Sequence, residues 1–402
     1  MKKETKQFIY LDYAATTPLD PRVLKAMLPY FERSELQGNP SSLHKLGRLA
    51  KDGLNEARHS VAKTLETKND EIIFTSSGTE SDNLAIVGIA NAYKNKGKHI
   101  IVSQIEHKAV LESAKFLEKE GFDVSHAPVE KNGIINIGKL MSLIRPDTIL
   151  VSVMYVNNEV GSIQPIKEIA DRLKKASKDN ELPIIHVDAC QAATILPIKP
   201  NELGVDLLTL NGGKIYGPKG IGCLWVKRGI KLSPIIRGGG QESGLRSGTE
   251  NVAFAIGFAE ALRLAQHKCD QERERLTKIN QILKDRISKI DGISFNSPEI
   301  NASPSILNVS FVGTEGESLL LDLDQRGICC STGSACAATD LKPSYVLLAM
   351  GVSEELAHAS LRFSIGRFTT IRDVDRLLKA LPQSVARIRS LCPSIYVKNK
   401  KA

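Results

Sequence analysis

The chain has 402 residues, 42% of them hydrophobic, and 54 lysines and arginines stand against 45 aspartates and glutamates for a net charge of +9. This suits one large core and a smaller one; the longest apolar runs, such as 149–156, fall far short of the ~20 residues of a membrane span, and 8–11 is too short for a secretory signal, so a cytoplasmic protein is expected. The basic residues are scattered without interleaved aromatics, which argues against a nucleic-acid stripe, and seven cysteines with no CxxC pair imply neither a zinc site nor a disulfide framework.

The elements alternate along the chain. A polar turn, Leu11-Asp12-Tyr13-Ala14-Ala15-Thr16-Thr17-Pro18, is expected to pack near the site, and Pro21 starts a helical segment through Tyr30. After the loop 38–42, residues 46–65 carry apolar side chains at helical spacing, which predicts a helix with one buried face. Ile72–Thr75 reads as a buried strand, and Ser76-Ser77-Gly78-Thr79-Glu80 turns directly into a helix over 81–93. Strands at 99–102, 123–126 and 148–155 alternate with helices at 109–119 and 139–144. Further strands at 184–187, 207–210 and 222–226 complete about seven, the pattern of a mainly parallel sheet wrapped by helices. From about Glu260 a long helix leads into a smaller unit with strands at 306–311 and 360–364 and a helix at 317–323.

Ligands of such sheets bind beyond the carboxyl ends of the strands. Those ends carry His107, Asn157-Asn158-Glu159, Asp188 with Gln191, and Lys214 in the glycine-rich turn Asn211-Gly212-Gly213-Lys214. An enclosed lysine there is suited to form an imine with a carbonyl cofactor, since desolvation favours the free amine. The strand–turn–helix at Gly78-Thr79 offers unpaired N–H groups and the positive end of a helix dipole to a phosphate, although serine and threonine also cap helices that bind nothing. Lysine, carboxylate and phosphate cup together describe a site for pyridoxal 5'-phosphate, with Asp188 keeping the pyridine nitrogen protonated and His107 against the ring. Cys336, in the small-residue segment Ser331-Thr332-Gly333-Ser334-Ala335-Cys336, is the candidate reactive thiol, and the other cysteines read as small core residues.

These motifs, with Thr79-Glu80-Ser81-Asp82-Asn83, Glu106-His107-Lys108-Ala109-Val110, Lys214-Ile215-Tyr216-Gly217-Pro218-Lys219-Gly220, Arg246-Ser247-Gly248-Thr249 and Arg362-Phe363-Ser364-Ile365-Gly366-Arg367, closely resemble the pyridoxal-phosphate-dependent cysteine desulfurases of the NifS and IscS type over roughly residues 8–390. The resemblance implies a fold-type-I transferase: an α/β large domain at 18–262 holding a mainly parallel seven-stranded sheet, and a smaller α+β domain formed by 1–17 and 263–402. It implies that Lys214 holds the cofactor, Asp188 pairs with the pyridine nitrogen, Gln191 bonds the ring hydroxyl, His107 stacks and assists proton transfer, and Gly78, Thr79 and Asn211 hold phosphate. Asn158 and Arg362 are implied to bind the carboxylate of L-cysteine. Thr249 is implied to reach the phosphate of a second subunit in a homodimer. Cys336 is implied to take the sulfur as a persulfide, in the manner of the group I branch, for delivery to an acceptor protein serving iron–sulfur cluster assembly or tRNA thiolation. A selenocysteine lyase, or a weakly active scaffold of the same fold, are the alternatives, and a yellow colour of the purified protein separates a cofactor enzyme from a scaffold. The sequence departs from the family's Ser-x-His-Lys at Asn211-Gly212-Gly213-Lys214, and it carries Cys329-Cys330 near the loop where serine is common.

Overall fold

The computed structural model of the protein describes residues 8–177, 182–333 and 342–391. Among the described residues twelve strands follow one another as β1 (Ile9–Tyr10), β2 (Ile72–Thr75), β3 (His99–Ser103), β4 (Asp123–Ala127), β5 (Thr148–Ser152), β6 (Ile184–Asp188), β7 (Leu207–Asn211), β8 (Gly222–Val226), β9 (Ile293–Phe295), β10 (Ile306–Phe311), β11 (Ile328–Cys329) and β12 (Ser360–Ser364). Seven of them form the central sheet in the order β2-β8-β7-β6-β5-β3-β4. All neighbours are parallel except β8, which runs against both β2 and β7. Because β2, β7, β6, β5 and β3 point the same way, the residues following them emerge along one edge. Their continuous apolar runs are what a sheet covered on both faces requires, and every residue of β3, β5 and β6 is buried.

The second unit is a three-stranded antiparallel sheet, β12-β10-β9, covered by the helices Gly316–Gln325 and Ile371–Leu391. The short parallel pair β1–β11 attaches the N-terminal segment to it, and these two strands, with β9, are too short to announce themselves by periodicity. A single helix of 36 residues, Val252–Ile287, joins the two units, beginning before the expected Glu260. The expected division at residue 262 falls inside this continuous helix.

Two boundaries differ from expectation for identifiable reasons. The helix placed at 81–93 starts at Gly78, because Ser77 Oγ accepts the Glu80 N–H at 3.1 Å and makes Ser77 the cap, so Gly78 and Thr79 form the first turn. The helix predicted over 46–65 spans Lys45–Leu65, and Leu46 at its start is 40% exposed while Gly47 and Ala50 are buried.

Asp20 fastens the N-terminal segment to both units. Its buried carboxylate caps the helix Pro21–Met27 by accepting from Arg22 N at 2.9 Å, pairs with the Arg22 guanidinium at 2.6 Å, and also accepts from Arg367 Nη1 at 2.6 Å. Those bonds, Arg22's first and Arg367's after it, hold the carboxyl far below the usual carboxylate range against the cost of burial. Asp20→Ala is expected to cost about 3 kcal/mol, from a lost cap and an unpaired Arg367. Since its folded pKa is depressed, this contribution is in force above about pH 4 and is lost as the pH falls below that value. The gap between wild type and variant in urea melts should therefore be full at pH 7 and shrink in acid; a gap that widens in acid would contradict the assignment.

Candidate active site

β7 ends at Asn211, whose side-chain Oδ1 accepts the Gly213 N–H at 2.9 Å and closes the 3-10 turn Gly212–Lys214. The turn delivers Lys214 half-buried to the strand edge, where its Nζ donates to the carbonyls of Ala14 at 2.8 Å and Ala15 at 2.6 Å. Gln191 donates to the same Ala14 carbonyl at 2.8 Å. The polar turn at 11–18 thus places two acceptors in the site. Thr17 fastens it from below, its N–H donating to Gly213 O at 2.8 Å.

Opposite this turn is the start of the helix Gly78–Tyr93. First-turn N–H groups have no partner within a helix, and here they belong to Gly78 and Thr79. Gly78 has to be glycine: a Cβ there would lie 2.8 Å from Cys190 Sγ and 3.3 Å from Asn211 Nδ2. The carboxamide nitrogen of Asn211 therefore lies beside the helix start while its oxygen is occupied by the turn.

Asp188, the last residue of β6, is buried at the cavity wall, and its Oδ1 accepts the Cys190 N–H at 2.9 Å. Two more carboxyls lie close by. Burial, with Asp188's charge adding to it, pushes Asp82 well above the carboxylate range; burial does the same to Glu106, opposed by the Met154 N–H it accepts at 2.6 Å. His186 lies beneath, between Ser152 Oγ at 2.9 Å and Thr209 Oγ1 at 3.1 Å, and burial drops its pKa to about 4. Its Nε2 lies 3.6 Å from Asp82 Oδ1.

His107 caps the helix Lys108–Lys119 by accepting the Ala109 N–H on Nδ1 at 3.1 Å. A neutral ring so held carries its proton on Nε2. Arg362, 2% exposed on β12, donates to the Asn158 carbonyl at 2.9 Å and to Asp12 Oδ1 at 2.7 Å. Arg362 Nε and Asn158 Oδ1 are both buried without a partner among the described residues. Glu159 is buried beside them, and burial above all pushes its carboxyl up to about 7 against the pull of Ser344, Arg362, Lys108 and His107.

Gly78, Thr79, His107, Asn158, Asp188, Gln191, Asn211, Lys214 and Arg362 all line one cavity of about 370 Å³. Thr249 is exposed and does not line it. Cys336 lies outside the described residues, but Gly333, three residues before it, is at the cavity wall. Asp12, Asp82, Glu106, Glu159 and Tyr345 also belong to the site or its support, and no role was read for them from sequence. Their signal was acidic residues set directly against runs that bury completely, as at Glu106 after β3.

The family of class-V aminotransferases matches residues 9–377. A cysteine desulfurase IscS of Dictyoglomus turgidum is 46% identical over 389 residues, covering 96% of this chain and 97% of that one. Among solved structures, a NifS-like protein superposes with a TM-score of 0.88 at 36% identity, over 94% of this chain and all (100%) of that one. A protein named SspA, solved in complex with cysteine, superposes with a TM-score of 0.78 at 35% identity, over 90% of this chain and 99% of that one. With its sheet, its strand-end lysine and aspartate, and this full-length match, the chain belongs to the class-V aminotransferase family of pyridoxal-phosphate enzymes.

Proposed function

We infer that the protein is a pyridoxal-phosphate-dependent cysteine desulfurase that converts L-cysteine to L-alanine and passes the sulfur to Cys336. The observation that carries this reading is the convergence of Lys214, Asp188, His107, Asn158 and Arg362, from five separate segments, on one cavity of about 370 Å³. Its size suits a small ligand. The residues also fit the cofactor physically: a glycine-floored helix start beside Asn211 for a phosphate, a buried carboxylate at the cavity wall for a pyridine nitrogen, and two buried polar atoms, Arg362 Nε and Asn158 Oδ1, that lack any partner among the described residues.

When bound, pyridoxal phosphate supplies an electron sink that weakens the bonds at the carbon bearing the substrate amine. Lys214 would hold it covalently and Asp188 would hold a proton on its ring nitrogen. Arg362, already fixed by Asp12 and Asn158, is positioned to receive the substrate carboxylate on an unsatisfied N–H. His107, with its proton on Nε2, can donate a hydrogen bond to a group bound in the cavity and so assist proton transfer there. Burial pushes the neighbouring carboxyls of Asp82 and Glu106 above the carboxylate range. Sulfur then moves to the Cys336 thiolate, the bonding electrons of the broken carbon–sulfur bond stay with carbon, and a proton completes alanine. Exposed Thr249 is available to a second copy's site, in keeping with a homodimer, and a cytoplasmic sulfur-acceptor protein would take the persulfide onward to iron–sulfur or tRNA-thiolation chemistry.

Three variants test the reading. Lys214→Ala should abolish alanine release while the urea midpoint moves little, and alanine release at the native rate would sink the assignment. Cys336→Ser should keep the spectral response to cysteine yet form no product, because a hydroxyl is a far poorer sulfur acceptor than a thiolate; mass analysis that finds added sulfur on Cys329 or Cys330 instead would move the nucleophile. The third concerns Gly213. A Cβ there meets only ordinary contacts, 3.5 Å from Asn211 Oδ1 and Lys219 Cγ, and its φ is not left-handed, so the backbone accepts a Cβ. Its N–H is already given to Asn211, so the glycine main chain does not stand in for the family histidine at that position. Gly213→His in a Lys214→Ala background is expected to slow cofactor dissociation about tenfold, one charge-assisted hydrogen bond's worth. An unchanged dissociation rate would mean that Asn211 and the helix start already complete the phosphate cup.

A further inference from the structure

We propose that Arg246 is a positioning residue for the phosphate cup: its guanidinium cancels the charge of Glu80 in the first turn of the cup helix, and the ion pair between Arg58 and Glu242 holds the loop that delivers it. The inference rests on the pyridoxal-phosphate reading and deepens it. The helix Gly78–Tyr93 offers the first-turn N–H groups of Gly78 and Thr79, and Glu80 follows in the same turn. A carboxylate there suits the positive end of the helix dipole, but it repels a phosphate set against that turn. Glu80 Oε2 accepts the Ser76 N–H at 2.7 Å and the Ser76 hydroxyl, which shapes the turn before the helix, and Oε1 accepts Arg246 Nε at 3.0 Å. Burial by itself would raise this carboxyl; the bonds from Ser76 and Arg246 outweigh it and hold the group below the usual carboxylate range. The charge on Glu80 therefore needs a cation beside it. Neither residue lines the cavity, so Arg246 acts on the cup through Glu80.

Arg246 comes from a loop that is costly to hold. Glu242 at φ 47°, Ser243 at 59° and Gly244 at 78° follow one another in the left-handed region, which disfavours the first two residue types. The strain is offset on β2, an edge strand with β8 on one side only. On β2, Arg58 donates to the Ile72 carbonyl and Glu242 Oε2 accepts the Phe74 N–H at 2.9 Å, while the two side chains join each other through bonds of 2.6 and 2.8 Å. The ion pair thus takes the place of an eighth strand, meeting a carbonyl with a cation and an N–H with an anion. Glu242 is buried and Arg58 half-buried, so the pair is shielded from water. Two more bonds close the loop on either side of Arg246: Gly248 N–H to Gln241 Oε1 at 3.0 Å and Gly240 N–H to Ser247 Oγ at 3.3 Å. A loop fastened to β2 therefore reaches back to the turn into which β2 itself leads.

The test compares pyridoxal phosphate with pyridoxal, which has the same ring and aldehyde but no phosphate. In the full chain freed of cofactor, the dissociation constant of each is read from imine absorbance. Arg246→Ala should weaken pyridoxal phosphate at least tenfold and pyridoxal less than threefold, whereas a merely structural loss would move both alike. Arg246→Gln, which keeps a donor for Glu80 without the charge, should show the same selective loss, and it carries the comparison if the alanine variant does not fold. Arg246→Lys should stay within threefold of wild type. Adding Glu80→Gln to Arg246→Ala removes the stranded charge and should bring pyridoxal phosphate back to within threefold of wild type. Glu242→Gln, which weakens the pair with Arg58, should lose at least threefold for pyridoxal phosphate alone and add nothing in an Arg246→Ala background. The proposal is overturned if the variants bind pyridoxal phosphate as wild type does, if both compounds weaken together, if lysine or Glu80→Gln fails to rescue, or if the Glu242 and Arg246 losses multiply. A wild-type protein that forms no imine with either compound, or binds both equally, refutes the pyridoxal-phosphate reading itself, and the proposal falls with it.

Discussion

The site is organised around a buried cation. Arg362, on the middle of a strand in the smaller sheet, carries a charge that cannot be left unmatched at 2% exposure, and the chain meets it with the Asp12 carboxylate and the Asn158 carbonyl. Asp12 comes from the N-terminal segment and Asn158 from beyond β5, so one guanidinium brings together three parts of the chain that are distant in sequence. Ser331 continues the arrangement by pairing its backbone with that of Arg362 at 2.6 and 3.2 Å, which places the start of the cysteine-bearing segment at the same point. Removing one partner from such a pair costs about 3–5 kcal/mol, because a charge is then stranded away from water.

A second consequence of burial is that charge is concentrated on few groups. Asp82, Glu106 and Asp188 crowd the end of β6, and His186 lies under them with a pKa near 4. Were the three acids equally ionised, their repulsion in a low dielectric would be prohibitive. Burial eases the conflict by pushing the Asp82 and Glu106 carboxyls up and the His186 imidazole down, while Asp188 keeps a hydrogen bond from the Cys190 N–H. The same logic quiets the thiols. Cys190, Cys223, Cys269, Cys329 and Cys330 are all pushed above the ordinary thiol range, burial being the main cause, which disfavours their reactive thiolates.

Asn211 shows how a departure from a family pattern can be absorbed. Its side chain closes the turn before Lys214 with the oxygen and faces the start of the Gly78–Tyr93 helix with the nitrogen, two tasks for one carboxamide. Gly213 adds no functional group, yet the space beside it is open to one.

The sequence by itself determined the alternation of strands and helices, the glycine turn that presents Lys214, and the identity of most groups at the strand ends. These follow from local chemistry: apolar runs must be covered, a capped strand–turn–helix has a unique start, and parallel strands share one edge. It could not determine what meets across that edge. The Ala14 and Ala15 carbonyls on Lys214, Asp12 on Arg362, and Glu159 on Ser344 are contacts over separations of up to 350 positions. The protonation of Asp82, Glu106 and His186 was equally illegible, since a side chain's charge depends on how much water the finished fold leaves it, and only tertiary packing decides that.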